Sequence, residues 1–193
     1  MNPERAGESP ARPEVYEPRL PKAFWAFHAL YYRVYKRYAE LHLGDSRLAG
    51  EIVHQVFMAL GVGWPHLMEE ANPGESAWTF FKAALVEELE WLGRESAMPE
   101  TAAFDLVKRD LLDSVRDEFS VMESSLGLYP AIARLPERQF DVMVLLYVLG
   151  YDMDKTAHIM GVACTTVRSH RDRARLRIAQ DMKAAPGTDH DDD

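Results

Sequence analysis

The stretch that decides the fold reads Met153-Asp-Lys-Thr-Ala-His-Ile-Met-Gly-Val-Ala-Cys-Thr-Thr-Val-Arg-Ser-His-Arg-Asp-Arg-Ala-Arg-Leu-Arg177. Two helical patterns meet at Gly161, which can take the positive φ that a sharp turn demands. The small Ala157 lets the two helices approach closely, and the apolar Val167 can fasten the second helix to the first. A spacing of four and six residues is typical of a helix-turn-helix that reads DNA. The alternative is a helical hairpin whose basic face is solvated.

Length and composition limit the classes of protein that this chain can belong to. Its 193 residues are 47% hydrophobic, which suits one medium domain or two small ones with a core of their own. One cysteine excludes a disulfide framework and fits a reducing compartment. No apolar run approaches the roughly 18 residues of a membrane span, and the N-terminus lacks the apolar core of a signal peptide. We therefore expect a cytoplasmic protein without membrane insertion.

The net charge of −9 is unevenly distributed along the chain. Residues 1–127 carry 13 basic and 21 acidic side chains, whereas residues 128–183 carry 9 basic and 6 acidic ones. Four aspartates follow in residues 184–193. The positive charge therefore surrounds the predicted helix-turn-helix, where contacts to DNA phosphates would require it.

Hydrophobic periodicity predicts helices throughout, so the expected fold class is all-α. An aromatic stripe with steps of three and four residues begins near Pro21, and a second helix starts after Gly44 with Asp45 or Ser46 as its cap. Residues 61–76 are predicted to form a loop, because they are rich in glycine and proline, and a third helix is predicted from about Ala77. These helices form a first small domain.

The predicted boundaries follow shifts in composition and pattern. Residues 1–20 are expected to be a disordered leader and residues 184–193 a disordered acidic tail. The first helical domain covers 21–97, and the helix-turn-helix domain covers 130–183. Residues 98–129 carry an amphipathic stripe and are predicted to form a helical connector between the two domains.

Five motifs carry a family resemblance. Leu135-Pro-Glu-Arg-Gln-Phe, Thr156-Ala-His-Ile-Met-Gly-Val and Thr166-Val-Arg-Ser-His-Arg-Asp-Arg-Ala-Arg closely resemble region 4 of bacterial RNA polymerase sigma factors of the sigma-70 family, extracytoplasmic-function (ECF) type. Leu48-Ala-Gly-Glu-Ile-Val-His-Gln-Val-Phe resembles the region 2 helix that docks on the polymerase clamp. Ala77-Trp-Thr-Phe-Phe resembles the start of the region 2 helix that opens the promoter.

The resemblance implies a dissociable initiation subunit that binds core RNA polymerase and recognises double-stranded promoter DNA. Region 4 would read the upstream promoter element, and region 2 would hold the downstream element as a single strand. Such a subunit has no catalytic residues, cofactor or metal. The resemblance leaves open an anti-sigma factor as a further partner.

The same resemblance assigns three sets of site residues. Near the N-terminus of the recognition helix, base edges or the nearest phosphates would be contacted by Thr165, Thr166, Arg168 and Ser169. Further along, the helix would be positioned on phosphates by Arg171, Arg173 and Arg175. One or two arginines of the helix would pair instead with Asp172 or Asp181. Core polymerase would bind Glu51, His54 and Gln55. Promoter melting would use Trp78, Phe80, Phe81 and Lys82.

Two departures from the family pattern bear on function. The predicted melting helix carries Glu87, Glu88 and Glu90, although surfaces that bind single-stranded DNA normally combine aromatic side chains with positive charge. Cys164 lies near the start of the recognition helix, where a lowered thiol pKa would suit a redox sensor; the alternative is a small packing residue.

The alternatives to a sigma factor are two other kinds of DNA-binding protein and an enzyme. A sigma-like helix-turn-helix regulator with a degenerate region 2 would bind DNA without melting it. A plain repressor or activator is a third interpretation, against which the two-part architecture counts. Enzyme activity finds no support, since the chain lacks a metal-binding histidine motif, a phosphate-binding loop and a nucleophile elbow.

Overall fold

The computed structural model describes residues 20–93 and 128–184, and every regular element in these two ranges is helical. The predicted all-α fold class is thereby confirmed. The predicted leader, the acidic tail and most of the predicted connector lie outside the described residues. We refer to residues 20–93 as the N-terminal unit and to residues 128–184 as the C-terminal unit.

The N-terminal unit contains four helices, listed in chain order as α1 (Lys22–Leu43), α2 (Ser46–Val62), α3 (Trp64–Glu69) and α4 (Pro73–Trp91). Gly44 adopts the left-handed conformation with φ 66° and ends α1, as the sequence predicts. The side chain of Asp45 then caps α2 by accepting hydrogen bonds from the backbone N–H groups of Arg47 and Leu48, at 2.8 and 3.0 Å.

The prediction of a loop over residues 61–76 was wrong in part. Trp64 and Pro65 begin the short helix α3, because proline is well tolerated in the first turn of a helix. Asn72 caps α4 by accepting a hydrogen bond from the N–H of Glu75, so this helix begins at Pro73 rather than near Ala77. The glycines and prolines of this segment therefore mark helix starts as well as turns.

Aromatic side chains hold the N-terminal unit together. The ring of Tyr35 stacks on that of Phe81 with 4.4 Å between centroids and meets the edge of the Trp78 ring at 5.5 Å. Phe57 of α2 closes the cluster at 5.6 Å from the Tyr35 ring. Tyr35, Trp78 and Phe81 have at most 1% of their surface exposed. The aromatic stripe of α1 is thus core, and α1 and α4 are joined by ring contacts.

The C-terminal unit contains α5 (Leu128–Ala133), α6 (Glu137–Met143), α7 (Met153–Met160) and α8 (Cys164–Ala184), and α6 continues as a π-helical segment over Val144–Val148. Gly150, at φ 68°, follows this segment and redirects the chain toward α7. Helix α8 packs against α5, α6 and α7. It does so through Ala174 and Ile178, which are fully buried.

The two units pack directly on each other through α4 and α7. Their buried apolar side chains form one continuous cluster. In the described ranges, no helix is both long and apolar enough to cross a membrane.

Candidate nucleic-acid interface

The helix-turn-helix has the geometry that its sequence predicts. Asp152 caps α7 by accepting a hydrogen bond from the N–H of Lys155 at 2.7 Å. Gly161 takes the left-handed conformation with φ 64° and ψ 32°, which turns the chain between α7 and α8. Ala157 and Val167 are buried where the two helices meet. Each of the three spaced residues thus has the predicted structural role.

The outer face of α8 carries the side chains predicted to bind DNA. Val167, Ala174 and Ile178 point into the core, so the opposite face of the helix meets solvent. Among the predicted residues, the exposed set is Thr165, Arg168 and Arg173, and the half-buried set is Thr166, Ser169, Arg171 and Arg175. The helix therefore presents hydroxyl groups and arginines together, as contacts to base edges and phosphates require.

Arg171 forms hydrogen bonds within the protein. The guanidinium of Arg171 donates to Oδ1 of Asp172 from Nε at 2.9 Å and from Nη2 at 2.7 Å. Asp181 pairs instead with Arg134 of the segment after α5, at 3.3 Å. The expectation that Asp172 or Asp181 holds an arginine of this helix is met by Asp172.

Cys164 does not have the electrostatics of a redox sensor. A hydrogen bond from its thiol to the Asp154 carboxylate, together with burial, raises the pKa of Cys164 above its ordinary value. Asp154 outweighs the opposing effect of Arg168. A raised thiol pKa disfavours the reactive thiolate, so the structure favours the packing role for this residue.

The residues predicted to bind core polymerase lie together on the outer face of α2. Glu51, His54 and Gln55 are all exposed, and Glu51 forms an ion pair with Arg47 one turn earlier. Beside them runs a groove of about 600 Å³ between α2 and α4. The lining of this groove includes Gln55, Phe80, Glu87, Glu88 and Trp91. The surface is accessible, and its rim is acidic.

The residues predicted to melt the promoter are mostly inaccessible. Phe80 is 44% exposed, whereas Trp78, Phe81 and Lys82 are buried at 1%, 0% and 8%. Trp78 and Lys82 face the C-terminal unit, and Phe81 packs on Tyr35. The structure thus brings these three together as part of a packed interior.

A buried polar cluster joins the two units, and the sequence does not predict this contact. Asp141 of α6 is 1% exposed and accepts three hydrogen bonds from the N-terminal unit. The donors are Tyr38 Oη at 2.6 Å, Lys82 Nζ at 2.7 Å and Trp78 Nε1 at 3.3 Å. Lys82 Nζ also donates to Tyr38 Oη at 2.8 Å. We call Tyr38, Trp78, Lys82 and Asp141 the Asp141 cluster.

The charges in the Asp141 cluster balance each other. Burial, followed by the charge of the Asp141 carboxylate, raises the pKa of Tyr38 well above its ordinary value, so its hydroxyl keeps the proton that it donates. The ammonium of Lys82 neutralises the carboxylate, which makes burial of both charges tolerable. A sequence signal was present, because Lys82 follows Trp78 by one turn on the buried face of α4.

Among residues 20–93 and 128–184, no group of three or more His, Cys, Asp or Glu side chains could hold a metal ion. What the described residues offer is a basic helix face, an acidic groove and a polar contact between two helical units.

Comparison with known proteins shows what this arrangement is similar to. Residues 126–178 match the model of the family "Sigma-70, region 4". The chain is 36% identical over 66 residues to the ECF RNA polymerase sigma factor SigM of Mycobacterium tuberculosis, and this match covers 34% of each chain. It is 19% identical over 145 residues to the RNA polymerase sigma factor SigZ of Bacillus subtilis, which covers 75% of this chain and 78% of SigZ.

The SigM match thus spans about a third of that relative's length. A solved structure of the sigma factor RpoE from Bartonella quintana, in complex with the anti-sigma factor NepR, aligns with 86% of this chain and all of that one. Its sequence identity is 18% and its TM-score 0.35, below the value that indicates a shared overall arrangement. The region 4 match spans the helix-turn-helix described above: residues 126–178 match "Sigma-70, region 4", and the chain is similar to RNA polymerase sigma factors of the ECF type.

Proposed function

We propose that the protein is a sigma factor that binds core RNA polymerase and directs transcription from specific promoters, acting in the cytoplasm and without enzymatic activity of its own. The observation that carries this proposal is the exposed, arginine-bearing face of α8 in a helix-turn-helix that matches region 4. Region 4 would read the upstream promoter element in the major groove.

The expected contacts follow from exposure. Thr165 and Arg168 lie in the first turns of α8 and are exposed, so they would reach base edges. Arg173 lies further along the helix and would position it on phosphates. Arg171 would first have to exchange Asp172 for a phosphate oxygen, a substitution of one anionic partner for another.

The outer face of α2 would bind core polymerase. Glu51, His54 and Gln55 are exposed on adjacent turns, and the neighbouring groove adds the apolar surface of Phe80 and Trp91. Exposed apolar side chains with a polar rim are typical of a protein-binding surface. An anti-sigma factor is a further partner that the same surface could accept.

The proposal is tested by co-purification of the protein with core polymerase. Wild-type protein is expected to elute with purified core enzyme in size-exclusion chromatography, and Gln55→Arg is expected to weaken the complex. Arg33→Glu, a charge change at an exposed residue of α1, serves as the control. No co-elution of the wild type would contradict the proposed function.

A second candidate function is favoured by one observation. Trp78, Phe81 and Lys82 are buried, and α4 is acidic, so the N-terminal unit as it stands offers little surface for single-stranded DNA. A sigma-like regulator would bind the promoter duplex without opening it. Permanganate footprinting, which modifies unpaired thymines, separates the two: reactive thymines in the presence of core enzyme support the sigma factor, and their absence supports the regulator.

A further inference from the structure

The groove between α2 and α4 combines exposed apolar side chains with carboxylates. Its volume is about 600 Å³, and its apolar lining includes Val56, Phe80 and Trp91. Phe80 is 44% exposed and Trp91 is 78% exposed. Glu87 and Glu88 add negative charge on the α4 side. The lining residues all belong to the N-terminal unit, so the groove is a surface of that unit alone.

The outer face of α8 has the opposite charge and an exposed apolar side chain of its own. Leu176 is 53% exposed. Arg173, one turn before it, and Arg177, the next residue, are exposed as well. Ala174 and Ile178 are buried, so Leu176 points away from the core. Contacts to phosphates would use the two arginines but not the leucine, which instead suits an apolar groove.

The charges on these two surfaces are unpaired within the protein. Among residues 20–93 and 128–184, no ion pair involves Glu87, Glu88, Arg173 or Arg177. Opposite charges attract each other strongly when they meet at a contact with little water between them. Every copy of the chain therefore carries an acidic, apolar groove and a basic helix face with an apolar anchor.

The dimensions of the two surfaces agree. On α4 the groove extends from Phe80 to Trp91, which is about 16 Å of helix at a rise of about 1.5 Å per residue. On α8 the exposed stretch from Arg173 to Gln180 covers about 10 Å. A helix laid into a groove, with apolar side chains as anchors, is a common mode of protein recognition.

We propose that the α2–α4 groove is a docking site for α8 of a second copy of this chain. Leu176 lies against the apolar lining, and Arg173 and Arg177 pair with Glu87 and Glu88. Because the contact joins two unlike surfaces, two copies can pair reciprocally, or further copies can add to form a chain. The contact needs neither DNA nor polymerase, so it goes beyond the proposed function.

Self-association of this kind would restrain the proposed activity at high protein concentration. Arg173 would face carboxylates of another copy instead of DNA phosphates. The groove beside Gln55 would be filled, so the surface proposed for core polymerase would be partly covered. DNA and polymerase would therefore compete with the second copy for the same two surfaces.

Sedimentation velocity of the full chain, over a roughly hundredfold range of protein concentration, tests the proposal. In about 0.1 M salt, charges more than about 10 Å apart are largely screened, so the net charge of −9 opposes association only weakly. The apparent mass of the wild type is expected to rise with concentration. Leu176→Ser is expected to weaken the association by about tenfold, because it removes the apolar anchor.

Charge reversal distinguishes this contact from other modes of self-association. Glu87→Arg/Glu88→Arg and Arg173→Glu/Arg177→Glu each place like charges opposite each other, so each variant alone is expected to stay monomeric. An equimolar mixture of the two variants restores opposite charges between different copies and is expected to associate. Circular dichroism checks that each variant keeps its helix content.

The matched control is Glu69→Arg/Glu70→Arg, the same charge change at two exposed carboxylates outside the groove, which should associate like the wild type. Three results would overturn the proposal: a wild type that is monomeric at every concentration, folded charge-reversal variants that associate like the wild type, or a mixture that stays monomeric. These measurements use the protein alone. Their failure therefore leaves the proposed polymerase partnership untouched, and a failure of co-purification leaves the docking site untouched.

Discussion

At the scale of single residues, Arg168 is the side chain on which duplex recognition should depend most. It is exposed in the second turn of α8, where a bidentate contact to guanine can form. Arg168→Ala is expected to weaken binding to a promoter duplex, selected from genomic fragments, by about 1–3 kcal/mol and to relax its sequence preference. Fluorescence anisotropy with selected and scrambled duplexes measures both effects.

The matched controls are two other exposed arginines. Arg173→Ala should weaken binding to selected and scrambled duplexes alike and lower the salt dependence by about one counterion, as loss of a phosphate contact does. Arg33→Ala, on the outer face of α1, should change neither. If Arg33→Ala and Arg168→Ala weakened binding equally, general electrostatics rather than α8 would account for the affinity.

His42, in the last turn of α1, makes stability depend on pH. Burial, together with the nearby Lys82 ammonium, lowers the pKa of His42 from 6.5 to about 3. Between these values the unfolded chain binds more protons, so the free energy of unfolding falls as the pH drops below 6.5. Between pH 7 and pH 5 this group should contribute a loss of roughly 2 kcal/mol.

Urea unfolding at a series of pH values checks this prediction. His42→Gln should flatten the dependence between pH 7 and pH 5, whereas His54→Gln, an exposed histidine on α2, should leave it as in the wild type. Parallel curves for wild type and His42→Gln would show that another group controls stability in this range.

At the scale of elements, the α7–α8 turn is sensitive because it is also a contact with α4. Gly161 has φ 64°, and a Cβ atom there would lie 2.1 Å from the backbone nitrogen of Glu75. Gly150 has a similar φ of 68° but has nothing within 4 Å of its Cβ position. Both alanine substitutions carry the cost of a left-handed residue, about 1–2 kcal/mol, and Gly161→Ala adds a backbone clash.

Gly161→Ala is therefore expected to lower the free energy of unfolding clearly more than Gly150→Ala. It should also increase the radius of gyration, because relief of the clash requires the units to move apart. Thermal unfolding and small-angle scattering of the two variants provide the comparison. Equal destabilisation, with equal radii, would mean that Gly161 does not contact α4 in solution.

The elements themselves were largely predictable from local signals. Gly44, Asp45 and Gly161 each end or cap a helix as predicted, because such signals act through the residue's own backbone and its nearest neighbours. Helix α4 begins at Pro73, four residues before the predicted start at Ala77, because proline suits the first turn of a helix as well as a loop.

The contact between elements was less predictable. Trp78 and Phe81 are three residues apart, which is the helical spacing of one face, and both are buried. This spacing could not show that Lys82 meets Asp141, because helical spacing gives the inward direction but not the helix on the other side. The family resemblance suggested DNA as the partner of Lys82, and the structure supplies a carboxylate 59 residues away in sequence.

At the scale of the whole molecule, charge is divided between the two units. The N-terminal unit is acidic and α8 is basic, and the two units meet across an ion pair between Arg138 of α6 and Glu75 of α4.

The most direct test of the central claim is transcription reconstituted from purified core polymerase, this protein and genomic DNA fragments. We predict transcripts that begin at defined positions only when the protein is present, and that are lost with Arg168→Ala but kept with Arg33→Ala. Binding to core polymerase and to duplex DNA without any defined transcript would contradict the assignment as an initiation factor.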